Sequence, residues 1–358
     1  MKLGIVGLPN VGKSTLFNAL TGSHAETGIY SNAAAKPNMG QAKVPDSRLD
    51  WLTEYYHPKK TTPATIDFVD VVGIKKGGGR GNAYLQTIRL VDALVHIVRC
   101  FENTDIFEDA ADASRDAESL SLELILADIE VVERRLDKAT KNAKGGDKKA
   151  KREVEMCQAL LDHLSEGQPA SSFEFTEDDK EILQDGGLLS VKPVIYVANL
   201  DEDGFADYEN NANYKALAAL AAEQGAAVLP VAAKFEEEIA EMDPEDAAMF
   251  MEDLGVTERG LDRLIHASYD LLGYISFLTG GEDEVRAWTI TKGTKAPRAA
   301  GTIHSDIERG FIRAETIAFE DLKTCGTMAA AKAKGLYRLE GKEYVMKDGD
   351  IVNFLFNV

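Results

Sequence analysis

No stretch of this 358-residue chain approaches the roughly 18 consecutive apolar residues that a membrane-spanning helix needs, so none is expected. The opening MKLGIVGLPN lacks the apolar core and small-residue cleavage site of a signal peptide and runs straight into a glycine loop. Cysteine is scarce. Cys100, Cys157 and Cys325 stand far apart without a CxxC pair, which argues against a disulfide framework or a zinc site and for a reducing, cytoplasmic setting. Positive charge is outweighed, with 40 Lys and Arg against 60 Asp and Glu and a net charge of -20. Nonspecific nucleic-acid binding by the whole surface is therefore disfavoured, while a local basic patch stays open. The two tryptophans, Trp51 and Trp288, are read as core residues rather than base-stacking platforms. Internal repeats and low-complexity tracts are also missing.

The length implies two or three domains with ample chain for a core. Lys2 to Val6 is a short apolar run, and Leu16, Phe17 and Leu20 form the apolar face of a helix after the loop. The runs TIDFVDVVG (65–73), ALVHIVRC (93–100), PVIYVAN (193–199) and AAVLPVAA (226–233) repeat the strand theme, mostly with helices between them. Such alternation predicts an α/β fold with a mostly parallel sheet covered on both faces.

One segment breaks the rhythm. Leu122, Ile125, Ile129, Val132 and Leu136 recur at helical spacing, and Ala150, Val154, Cys157, Leu161 and Leu164 resume it after NAKGGDKK. The pattern predicts two helices folding back at Gly145-Gly146, an antiparallel hairpin over 115–170. Its tip, 134–152, is basic: Arg134, Arg135, Lys138, Lys141, Lys144, Lys148, Lys149, Lys151 and Arg152 cluster there. Either a solvated charged face or a contact with a phosphate backbone fits. After about Tyr274 the chain reads as a β-rich domain (276–358) with one helix, Ala329 to Lys334, and with VRAWTI, GTIHSD and FIRAETIAF among its short alternating stretches. Residues 1–275 form the nucleotide domain in this reading. Lys292, Lys295, Arg298 and His304 fall on a surface loop or a docking face.

GLPNVGKS (7–14) fits GxxxxGK[ST] between a strand and a helix, the context that phosphate loop requires. Gly7 and Gly12 let the backbone curl so that N–H groups point inward, and the positive helix end joins them to make an anion nest. The predicted nucleotide contacts are Leu8, Pro9, Asn10, Val11, Gly12, Lys13, Ser14 and Thr15. Lys13 sets a cation against the outer phosphates, and Ser14 offers a hydroxyl to Mg²⁺. DVVG (70–73) supplies Asp70 for the metal and Gly73, whose N–H senses the terminal phosphate, with a glycine loop following. Lys13 and Gly73 are the predicted catalytic groups, acting by position and charge on an attacking water. NLDE (199–202) and VAAK (231–234) end later strands. Asn199 can tie the base loop to the phosphate loop, Leu200 and Glu202 complete the base motif, and Ala232, Ala233 and Lys234 stand where a backbone N–H meets the base. Chemistry alone leaves adenine and guanine open, because a carboxylate accepts from either.

These residues resemble the Obg-like ATPases of the YchF subfamily, among the translation-factor-related P-loop GTPases. GLPNVGKSTLFNALT, KPNMGQAKVPDSRLDWL, DALVHIVRCFEN, the NxxE base motif and EVRAWTITKGTKAPRAAGTIHSD with GFIRAE carry the resemblance over nearly the whole chain. It implies a TGS domain at the C-terminus and a coiled-coil arm in the hairpin. A preference for ATP over GTP and binding to ribosomes, with a role in translation or stress response, are also implied. Asn10 matches an asparagine that supports K⁺ in related P-loop proteins. Ile74 stands where many small GTPases have a water-orienting glutamine, which implies slow intrinsic hydrolysis.

The chain also departs from that pattern. Ala34 replaces the threonine expected at Mg²⁺, the loop after DVVG is about four residues short, and IFEDAADASRD lacks an expected histidine and proline. Thr27, Thr61 and Thr62 are the candidate replacement hydroxyls. The reading is of a monomeric, Mg²⁺-dependent switch that hydrolyses ATP slowly, with a GTP-dependent nucleic-acid binder as alternative. A nucleotide-stabilised scaffold with negligible hydrolysis is the third possibility.

Overall fold

Leu3, Ile5 and Val6 are fully buried in the first apolar run, as an inner strand of a parallel sheet demands. The computed structural model describes residues 2–23, 37–71, 83–145, 147–183, 187–253, 256 and 258–357. Among them twelve strands occur: β1 (Lys2–Val6), β2 (Asn38–Lys43), β3 (Lys60–Thr62), β4 (Thr65–Asp70), β5 (Ala93–Arg99), β6 (Val194–Asn199), β7 (Ala227–Val231), β8 (Tyr274–Thr279), β9 (Glu284–Thr291), β10 (Phe311–Ala318), β11 (Arg338–Glu340) and β12 (Asp350–Phe356). The chain divides into two compact units, Met1–Gly40 with Asp67–Arg263, and Gln41–Ile66 with Leu264–Val358.

The first sheet has the order β2-β4-β1-β5-β6-β7. β1 runs parallel to β4 and β5, β5 to β6, and β6 to β7. Its strand order reverses at β1, where open α/β sheets bind ligands beyond the carboxyl ends of the strands. The first five α-helices are α1 (Lys13–Thr21), α2 (Ser47–Tyr56), α3 (Ala83–Arg89), α4 (Ala113–Ala143) and α5 (Lys148–Ser165). Tyr84 and Ile88 of α3 and Leu120 and Leu124 of α4 pack with Val6, Val69, Leu94 and Leu189. Ala113 and Ala117 at the root of α4 meet Val98, Cys100 and Tyr196 of the sheet.

α4 and α5 are the expected hairpin, turning at 144–147; Gly146 lies outside the described residues. Asp112 caps α4 by accepting from the Arg115 N–H, and Asp147 caps α5 through the Lys149 N–H. Ile125, Val132, Met156, Cys157, Leu160 and Leu164 fill the seam. Leu122 is a correction: it is 50% exposed, because the root of α4 turns Leu120 and Leu124 toward the sheet instead.

Asp128 anchors this hairpin and is fully buried. Its carboxylate accepts from the Leu189 N–H (2.7 Å), the Ser190 N–H (2.8 Å) and the Ser190 hydroxyl (2.6 Å). Asp128→Ala strands all three donors, and the expected loss is about 4 kcal/mol, at roughly 1–3 per buried orphan donor. Urea unfolding of Asp128→Ala and Asp128→Asn checks this, the asparagine losing about half as much. Equal stability of the alanine variant and the wild type would discount the anchor.

The second sheet, β11-β10-β12-β8-β9-β3, is mixed. β3 runs parallel to β9, so the structure groups residues 41–66 with the C-terminal unit, a segment that composition places within 1–275. Four helices, not one, occur within 276–358 among the described residues: Ala296–Ile303, Ser305–Arg309, Phe319–Cys325 and Met328–Ala333. The stretch APRAAGTIH is therefore helical rather than a loop and strand. Proline suits its first turn, and Ala296, Ala299 and Ala300 recur at helical spacing, fully buried against Phe277, Phe311 and Phe354. Trp51 stacks on Tyr55 at 5.2 Å, and the half-buried Trp288 donates from its indole to the Thr279 hydroxyl at 3.0 Å. All three cysteines are free.

Candidate functional site

The segment after β1 needs glycine at two points for steric reasons. Gly7 (φ 155°) and Gly12 (φ 99°) have positive φ, and a Cβ on either would come within 2.5 Å of the Ile97 carbonyl oxygen or the Asn199 Nδ2. Asn10, at φ 62°, takes the left-handed conformation that asparagine tolerates. The loop curls into the N-terminus of α1, where free N–H groups and the helix dipole favour an anion.

Lys13 opens α1 and is buried, its Nζ donating to the Leu8 carbonyl at 2.6 Å. Burial pulls its pKa down from 10.5 to about 8 against the attraction of Asp70. At the end of β4 the Asp70 Oδ2 accepts from the Ser14 hydroxyl at 2.9 Å. Burial pushes this carboxyl up, opposed by Ser14, Lys13 and Asn38. The other Asp70 oxygen, Oδ1, is buried without a partner among the described residues. A hydroxyl beside an unpaired carboxylate oxygen is the donor set that Mg²⁺ accepts while keeping waters and phosphate oxygens. No group of three or more His, Cys, Asp or Glu among the described residues forms an all-protein metal cage.

Asn199, at the end of β6, joins three segments. Its Nδ2 donates to the Val11 carbonyl at 2.8 Å, and its Oδ1 accepts from the Ala233 N–H at 3.0 Å. Residues 7–14, Asp70, Asn199 and the start of the helix Ala233–Glu241 thus meet at the carboxyl end of the first sheet. Leu200 does not face this site. It is buried with Val98, Cys100 and Ala113 on the other side of the sheet, so its side chain packs the core. The Ala233 N–H, already bonded to Asn199, is likewise occupied, Ala232 is buried, and the Lys234 side chain is 84% exposed beside Glu238. Glu202 begins the helix Glu202–Ala206 and is exposed.

Thr62 donates to Glu284 at 2.6 Å and Thr61 pairs with Thr53 at 3.0 Å, both on or beside β3 in the second unit. Gly73, Ile74, Ala34 and Thr27 lie outside the described residues. Sequence reasoning passed over Arg99, the buried last residue of β5. Its signal was a lone cation ending the apolar run ALVHIVRC.

A family model described as "50S ribosome-binding GTPase" matches residues 2–135, and the model YchF-GTPase_C, described as "Protein of unknown function (DUF933)", matches 274–357. The chain is 51% identical to the "Ribosome-binding ATPase YchF" of Bacillus subtilis (strain 168), over 99% of each. The chain belongs to the YchF/Obg-like ATPase family. It is 40% identical to "Obg-like ATPase 1" of Oryza sativa subsp. japonica, over all of this chain and 92% of that one. The solved Schizosaccharomyces pombe YchF GTPase superposes with a TM-score of 0.88 at 37% identity, covering 99% of this chain and 97% of that one. The YchF-GTPase_C match spans β8 to β12, and the P-loop fold of the first unit is that of the family.

The basic hairpin tip is a second candidate site. Three of its nine cations bond to the fold: Arg134 donates to the Glu130 carbonyl at 3.0 Å, Arg135 to Glu153 at 2.6 Å, and Arg152 to the buried Asp179 at 2.9 Å. Lys138, Lys141, Lys144, Lys148, Lys149 and Lys151 are exposed. In the C-terminal unit His304 caps a helix through Nδ1, Lys295 pairs with Glu343 and Arg298 with Glu308. No described helix is long and apolar enough to cross a membrane.

Proposed function

We propose that this protein binds ATP in the 7–14 loop with Mg²⁺ and hydrolyses it slowly to ADP and phosphate, as a switch that engages ribosomes in the cytoplasm. The observation that carries the reading is the meeting of Lys13, Ser14 and the unpaired Asp70 oxygen at the anion nest. Ser14 and Asp70 would hold the metal, which offsets phosphate charge when bound. Lys13 and the 8–14 backbone grip phosphate oxygens, and Gly73 senses the terminal one. Asn199 fixes the loop against the base segment, with Glu202 as acceptor for base N–H groups. Titration of nucleotide-free protein with ATP and GTP by calorimetry tests this. Tighter ATP binding by tenfold or more is expected, about 1.4 kcal/mol.

GTP is the second reading, favoured by the match of residues 2–135 to a family model of GTPases. Tighter GTP binding would give it first place. Hydrolysis too slow to detect in single turnover, with and without ribosomes, would leave only a nucleotide-stabilised scaffold. A monovalent cation at Asn10 is part of the proposal. Turnover is expected to rise severalfold in K⁺ over Na⁺ at matched ionic strength, and equal rates would dismiss it.

The ribosomal contact is assigned to the hairpin tip, whose exposed lysines suit an RNA backbone. The C-terminal domain, read as a TGS module, is its partner in docking, and the chain acts as a monomer. Reversing Lys141, Lys144, Lys148 and Lys149 to glutamate is expected to cut ribosome cosedimentation tenfold or more and leave ATP affinity unchanged. Undiminished cosedimentation would move the contact elsewhere.

A further inference from the structure

Arg99 is 3% exposed, yet its Nε and Nη1 have no hydrogen-bond partner among the described residues. Its third nitrogen, Nη2, donates to the Asp109 carbonyl at 3.1 Å, and Phe107 covers the guanidinium with the ring centroid 3.9 Å away. No ion pair to Arg99 is formed among the described residues. A buried cation without a counter-charge and with most of its donors unpaired is costly, several kcal/mol per ion by general experience. Its unpaired Nε and Nη1, with three N–H bonds between them, therefore call for oxygen acceptors.

The sheet register gives the face of β5 on which Arg99 lies. Arg99 lies opposite Asn199 in the parallel β5–β6 ladder. Alternation puts Arg99 and Ile97 on one face of β5, while Val98 and Cys100 pack into the core on the other. Ile97 touches the positions that a Cβ on Gly7 or Gly12 would take, so this face carries the phosphate loop. Asn199, beside Arg99, holds the Val11 carbonyl of the same loop. Ser14 and Asp70 gather on the β4 side of β1, whereas Arg99 stands on the side of β5 and β6, which leads into the base segment 199–202. Leu200, where the usual GTPase motif has a lysine, is buried in the core and offers no cation.

We propose that Arg99 is a nucleoside-contacting residue, which supplies from β5 the cation that position 200 lacks and donates to an oxygen of the nucleotide's sugar. The proposal rests on the reading of the loop as a nucleotide site.

The experiment is calorimetric titration of wild type, Arg99→Met, Arg99→Lys and Phe107→Leu, each with ATP and with inorganic tripolyphosphate in Mg²⁺. Arg99→Met is expected to weaken ATP tenfold or more and leave tripolyphosphate within twofold. Phe107→Leu loosens the 101–111 loop but keeps the guanidinium, and is expected to hold ATP within threefold. Arg99→Lys keeps the charge with fewer donors and is expected to lose threefold to tenfold for ATP only. It carries the test if the methionine chain does not fold. Wild-type ATP affinity in both Arg99 variants overturns the proposal. So does an equal loss of tripolyphosphate, which would make Arg99 a phosphate contact, or a Phe107→Leu loss matching Arg99→Met, which would make it a loop pin. Failure of the wild type to bind either ligand would instead remove the nucleotide reading itself.

Discussion

Lys13→Met is expected to yield a protein that is more stable yet unable to hold nucleotide. The lysine is buried, and desolvation brings its pKa from 10.5 to about 8 against the attraction of Asp70. At about 1.4 kcal/mol per tenfold, that fall corresponds to roughly 3 kcal/mol of native-state cost at neutral pH. Methionine keeps most of the length without the charge. Part of the gain is lost again, because Asp70 then stays buried without its cation, and a net rise of about 2 kcal/mol in urea unfolding is expected. The sign of the pH dependence follows. The native chain gives up this proton near pH 8 and the unfolded chain near 10.5, so wild-type stability rises across that window and the variant's advantage shrinks. Nucleotide affinity is expected to fall at least a hundredfold, about 2.7 kcal/mol, because charge-assisted contacts to the outer phosphates disappear. A variant that is less stable and binds ATP normally would contradict both halves. The fold carries this cost because the same burial sharpens the cation's grip on an anion.

Loss of stability in acid is expected to centre on His96. This β5 histidine is buried beside Tyr196, with ring centroids 5.2 Å apart, and burial together with the nearby Lys13 charge pushes its pKa from 6.5 down to about 3. The unfolded chain takes up a proton near pH 6.5, and the native chain resists until about 3. Stability from this group is complete above pH 6.5 and is lost progressively down to about 3, on the order of 5 kcal/mol in all. Asp70, Asp128 and Asp350 act the other way. Burial raises all three carboxyls, so the native chain binds their protons first and gains stability as pH falls. The His96 share is isolated by unfolding wild type and His96→Phe side by side from pH 7 to 4. The stability of His96→Phe relative to the wild type is expected to rise steadily toward acid. Parallel curves would show that the histidine carries no such cost.

The phosphate loop was legible because its chemistry is local. Gly7, Gly12, Lys13 and Ser14 sit within eight residues, and their backbone demands hold whatever surrounds them. Asp70 and Asn199 were legible for a related reason: each ends an apolar run, and a parallel sheet collects strand ends at one edge. The hairpin followed from its helical repeat, down to the reversal near Gly145, although the pattern alone could not tell that Leu122 faces outward.

What the chain by itself determined was therefore the anion nest, the strand–helix alternation, the acidic balance and the lysine-rich turn, all set by short-range sterics and periodicity. Tertiary structure decided the rest. It sent Leu200 to the core and Arg99 to the loop face, because pleat and register assign side chains to faces in a way that residue type does not. Burial moved the protons of Lys13 and His96, since desolvation depends on every neighbour. β3 joined the second sheet through pairing with β9, 224 residues further along, a partnership that no local propensity encodes.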